Sequence, residues 1–79
     1  MKPAIRLEYL HHQCQRLIYE DEFGIVEGVV EYGVDGGLLL WEGDFHCSAE
    51  RRARLIAEAE EYMAAKGGRC TVLRGKSRI

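Results

Sequence analysis

Six side chains of this sequence carry the soft donors that bind metals or attack electrophiles: His11, His12, Cys14, His46, Cys47 and Cys70. Structural zinc sites draw their ligands from close pairs such as C-x₂₋₄-C or H-x₃₋₅-H, and neither H-H-x-C nor an adjacent His-Cys pair has that spacing. Adjacent strand residues also point to opposite faces. The sequence therefore predicts no metal site and no cofactor. Cys47 stands near the start of a helix, an activating position for a thiol, but nucleophilic catalysis also needs a base within reach and an oxyanion hole. His46 and Ser48 beside it read more simply as the entry and cap of the helix. No G-x-x-x-x-G-K-[ST], G-x-G-x-x-G or G-x-S-x-G pattern occurs, and Gly36-Gly37 and Gly67-Gly68 fall where a turn and a helix stop need glycine. The expectation is a protein that is not an enzyme, with three reduced thiols, since an odd number of cysteines at irregular spacing is no disulfide framework.

The charged residues are more informative. The net charge of −2 hides an asymmetry: through Glu50 there are ten acids against three bases, and from Arg51 onward eight bases against three acids. Such a dipole steers a protein toward a charged macromolecule or toward its own copy. Two candidate contact surfaces follow. The acidic one comprises Glu20, Asp21, Glu22, Glu27 and Glu31; the alternative basic one comprises Arg51, Arg52, Arg69, Arg74 and Lys76. Arg51, Arg52 and Arg54 occupy the first turns of a helix, where the macrodipole disfavours cations, so acids must lie close by. Asp44, Glu50 and Glu58 are the expected partners, Glu50 with Arg54 and Arg54 with Glu58 being i, i+4 pairs.

These groups are positioned by an α+β chain. The stretch from Ser48 to Lys66 places Leu55, Ile56, Ala59, Tyr62 and Met63 on one side of a helix, with Ser48 as its N-cap and Gly67-Gly68 as its stop. Residues 4 to 20 read as two strands joined near His11-His12-Gln13, with an N-terminal helix as the alternative. Asp21 to Gly24 is a hairpin turn into the strand Ile25 to Tyr32, Gly33 to Gly37 a second turn, Leu38 to Trp41 a central strand and Arg69 to Arg74 a closing one. The whole is an antiparallel sheet of three to five strands with one long helix (about 48–66) on one face, a single domain over 1–79 ending in a frayed basic tail at 75–79. No apolar run approaches the length that spans a bilayer, so the chain is expected to be soluble and cytoplasmic.

One helix covers one face of a sheet. The other face would carry Ile18, Ile25, Val29 and either Leu39 or Trp41, and an open apolar patch of that kind calls for a cover, either a second copy or a target. The layout IRLEYL, LIYEDEFGIVEGVVEY, then GDFHCSAERRARLI over roughly residues 5 to 56 resembles that of small phage-encoded anti-CRISPR proteins. The resemblance implies a non-enzymatic inhibitor that docks on a large, basic, nucleic-acid-binding complex and presents acids where nucleic acid would lie. A small binding protein with a protein or ribonucleoprotein partner, able to form a homodimer and not attached to a membrane, is the expected function. A nucleic-acid-binding regulatory module using the basic C-terminal third is the alternative.

Overall fold

The computed structural model describes residues 2–33 and 36–76. Val34 and Asp35 of the second expected turn, and residues 77–79 of the expected basic tail, lie outside the described residues. The order is β1 (Ala4–His11), β2 (Cys14–Asp21), β3 (Gly24–Tyr32), β4 (Leu38–Trp41), a 3-10 turn (Glu42–Asp44), α1 (Ala49–Ala65) and β5 (Cys70–Leu73). The strands form one sheet in the order β1-β2-β3-β4-β5, and the architecture is α+β.

The N-terminal segment forms two strands and not a helix. Ile5, Leu7 and Tyr9 alternate with Arg6 and Glu8, and the register pairs Leu7 with Leu17 and Glu8 with Arg16. The chain reverses at His12-Gln13, where Gln13 takes a left-handed φ of 60° and its carbonyl accepts from Tyr32 N–H at 3.0 Å. Leu10 is left out of the ladder between Tyr9 and His11, a bulge that shifts the register near the end of β1.

The sheet is mixed and not wholly antiparallel: β1 through β4 form an antiparallel meander, but β5 runs parallel to β4. The cause is α1. Seventeen residues of helix span about 25 Å, which carries the chain back to the end of the sheet where β4 began. A strand entering there beside β4 must run the same way.

Both ends of α1 follow from local chemistry. Ser48 Oγ accepts from Arg51 N–H at 3.2 Å. At the other end Gly67 takes a φ of 79°, its N–H donates to Ala64 O, and Gly68 N–H donates to Met63 O, the two bonds of a Schellman stop. The helix buries Leu55, Ala59 and Met63 against Leu17, Tyr19, Val26, Val30, Leu38 and Leu40. Gly28 is required in the middle of β3, because a Cβ there would lie 2.6 Å from the ring of Phe45. Phe45 is fully buried, and its ring fills the space that a β3 side chain would otherwise take.

Because real Cβ atoms do not approach that closely, Gly28→Ala must displace the Phe45 ring, and overpacking of this kind costs about 1–3 kcal/mol. Thermal unfolding checks it. A variant that melts with the parent would show that Phe45 is free to move.

Candidate functional site

The five acids expected to form one surface separate into two groups. The pairing Tyr19↔Val26 and Leu17↔Gly28 puts the odd residues of β2 on the helix side, and Asp21 belongs to that side. It is the one buried charged residue among those described, 2% exposed. Its Oδ1 accepts from Arg51 Nη2 at 2.8 Å and its Oδ2 from Arg51 Nε at 3.1 Å, a two-pronged pair, and Oδ1 also accepts from Phe23 N–H at 2.9 Å to shape the hairpin turn. Arg51 Nη2 donates to Gly24 O as well. Glu22 at the tip accepts from Arg54 Nη1 at 3.0 Å, while Arg54 Nη2 stands 3.7 Å from Asp21 Oδ2. Both guanidinium groups lie 5.7 Å from the centroid of the exposed Phe23 ring.

Asp21 and Glu22 are therefore the partners of the helix-start arginines, in place of the i, i+4 neighbours expected from the sequence. Arg52 is committed differently: it donates to the carbonyls of Phe45 and Cys47 and holds the segment that enters the helix. The bond from Arg51, helped by that from Phe23 N–H, holds the Asp21 carboxyl below the ordinary carboxylate range in spite of its burial. Burial, with Asp21 beside it, pushes the Tyr19 phenol up. Among the described residues the Tyr19 hydroxyl nonetheless finds no hydrogen-bond partner of good geometry.

Glu20, Glu27 and Glu31 lie on the face turned away from α1. Glu20 stands opposite Ile25, Glu27 opposite Ile18, and Glu31 opposite both Cys14 and Leu39. Since Val30 pairs with Leu40 and Tyr32 with Leu38, Leu39 and Trp41 share this outer face, where the sequence reading had expected one of them. Leu73 of β5 pairs with Trp41 and joins them. Val29, Leu39, Trp41 and Leu73 are half-buried, Ile25 is 55% exposed, and Ile18, at 4%, lies under its charged neighbours. Arg6, Glu8 and Arg16 complete the β1 side, with Glu8 3.8 Å from Arg6 and 3.6 Å from Arg16. Leu73 went unnoticed in the sequence, although the alternation Cys70, Val72 against Thr71, Leu73 was there to find it.

The basic residues do not converge. Arg51 and Arg52 are engaged as described. Arg69 precedes β5 and Arg74 follows it, roughly 16 Å apart along an extended chain. Lys76 lies beyond Gly75, whose carbonyl accepts from Gly43 N–H and ties the start of the expected tail to the 3-10 turn. The cysteines are equally dispersed: Cys14 is buried in β2, its thiol raised by burial, and Cys70 is pushed up to about 11 by burial with Glu60 nearby. Among the described residues no three His, Cys, Asp or Glu side chains come together as metal ligands would. No protein-family model, curated protein or solved structure matches this chain.

The Asp21–Arg51 pair makes a pH prediction. Asp21 has a folded-state pKa below its unfolded value, so its contribution is fully present above about pH 4 and is lost as the pH falls through the lower, folded value. Asp21→Asn should lower the melting temperature at pH 7 by more than Glu22→Gln does, and should flatten the decline of stability below pH 4. An unchanged acid limb in the Asp21→Asn protein would show that other carboxyls set it.

Proposed function

We propose that this chain is a non-enzymatic binding module that occupies a basic surface of a larger macromolecule with the sheet face opposite α1. The observation that carries the reading is the composition of that face. Val29, Leu39, Trp41 and Leu73 form an apolar strip across β3, β4 and β5, and Glu20, Glu27 and Glu31 stand along its β2–β3 side. Acids steer the encounter and select the partner, and a strip of half-buried apolar side chains with the chain's single tryptophan supplies the area that slows dissociation. A face required only for solubility would not need Trp41 and Leu39 side by side.

Of the five acids first considered, Glu20, Glu27 and Glu31 are the contact residues of this proposal. Asp21 and Glu22 hold the helix instead. Inhibition of a nucleic-acid-binding complex, in the manner of the anti-CRISPR proteins the layout resembles, is the specific form the proposal takes: acids set where a phosphate backbone would otherwise lie. Among the described residues no helix is long and apolar enough to cross a membrane.

Affinity capture from the source cell with three proteins tests the reading: the parent, Glu20→Lys with Glu27→Lys, and Arg69→Glu with Arg74→Glu. The parent and the basic-side variant should retain the same basic protein or ribonucleoprotein, and the acidic-side variant should lose it. Loss on the basic side alone reverses the choice of face. Recovery of nucleic acid without protein, released steeply by salt, would establish the nucleic-acid module instead.

A further inference from the structure

Among the described residues the outer edge of β1 is the longer of the two edges of the sheet, eight residues against four in β5. Its ends carry the usual protections of an edge strand, Pro3 just before it and the Leu10 bulge near its close. Between them Ala4 to Tyr9 is regular, and among the described residues no strand pairs with its outer side. Along this segment the side chains read Ile5, Arg6, Leu7, Glu8, Tyr9. Arg6 and Glu8 belong to the open face, while Ile5, Leu7 and Tyr9 belong to the helix side. Ile5 and Leu7 pack on the core, but Tyr9 is 75% exposed.

We infer that two copies of this chain pair antiparallel through β1, with the two-fold axis at Leu7. The segment is complementary to itself about that residue. Leu7 then faces Leu7 of the second copy, Arg6 faces Glu8 twice, and Ile5 faces the exposed Tyr9 twice, which is the i-to-j and j-to-i matching of an isologous interface. Neighbouring registers fail on charge. A slip of two residues, the smallest that keeps the faces aligned, sets Arg6 against Arg6 in one direction and Glu8 against Glu8 in the other. The intrachain contacts of Glu8 with Arg6 and Arg16, at 3.8 and 3.6 Å on exposed side chains, are loose enough to yield to a cross-strand partner. A two-fold axis normal to the sheet keeps both helices on one side and joins the two open faces into one. The inference is independent of what that open face binds.

Sedimentation equilibrium across a concentration series reads the association directly. The parent should pass from 9.0 kDa to twice that mass. Arg6→Glu and Glu8→Arg each place like charges opposite one another, and each should weaken self-association by roughly tenfold or more. Mixing the two single variants restores opposite charges across the axis and should give a heterodimer, and the charge-swapped double variant should pair with itself. Glu20→Lys with Glu27→Lys should dimerise as the parent does, which separates this inference from the open-face reading. A parent that stays at 9.0 kDa up to high micromolar concentration overturns the inference. So does a dimer that both single reversals leave unchanged, or folded single variants that do not pair when mixed.

Discussion

The structure depends on one buried ion pair. Asp21 ends β2 on the side that α1 covers, at a position where an unpaired carboxylate would cost several kcal/mol, and Arg51 in the first turn of the helix reaches it with two hydrogen bonds. The pair pins the start of α1 to the tip of the β2–β3 hairpin. It also answers an electrostatic question set by Arg51, Arg52 and Arg54, three cations at the helix end that disfavours them by some tenths of a kcal/mol each. Asp21 and Glu22 offset that from another element, and the carbonyls of Phe45 and Cys47 accept from the third arginine. With the helix so placed, Leu17, Tyr19, Val26, Val30, Leu38 and Leu40 are covered, and the alternate residues of the same strands are left to face away.

Much of this was legible from apolar spacing, period 2 in the strands and 3.6 in the helix. The strands, the helix and the existence of a second face that α1 does not cover all follow from patterns of apolar residues a few positions apart, and Ser48 and Gly67 mark the helix ends. What escaped were facts that local pattern does not carry. RCTVLR reads as a strand but does not state its direction, which comes from the length of the helix before it. Asp21 looked like one of a run of hairpin acids, because a carboxylate at a turn is normally solvated; only the register, which sets it on the same side as Tyr19, distinguishes it from Glu20. Sequence spacing points Arg51 and Arg54 to Asp44, Glu50 and Glu58, within or just before the helix, whereas their carboxylate partners lie some thirty residues away on the β2–β3 hairpin. Leu39 and Trp41, two apart on one strand, had to share a face, and the register with β3 decides which.

The expected acidic surface divides when the chain folds. Three of its five acids sit on one face with the apolar strip, because Glu20 stands opposite Ile25 and Glu27 opposite Ile18 on neighbouring strands. The other two became structural. Of the basic alternative, Arg51 and Arg52 are spent on Asp21, Gly24 O and the carbonyls before the helix, and Arg69 and Arg74 lie at opposite ends of β5. Charge counts along a chain find that two signs are segregated; they do not find which charges neutralise each other once the chain has folded.

The central claim is that α1 covers one face of the sheet and leaves the face of Val29, Leu39, Trp41 and Leu73 open for contact. Methyl NMR with a soluble gadolinium chelate measures this directly, since relaxation falls steeply with distance from solvent. The account predicts strong broadening of the Ile25, Val29, Leu39 and Leu73 methyls, with Leu17, Val30, Leu40 and Leu55 spared. Equal protection of both sets in the free protein would contradict it.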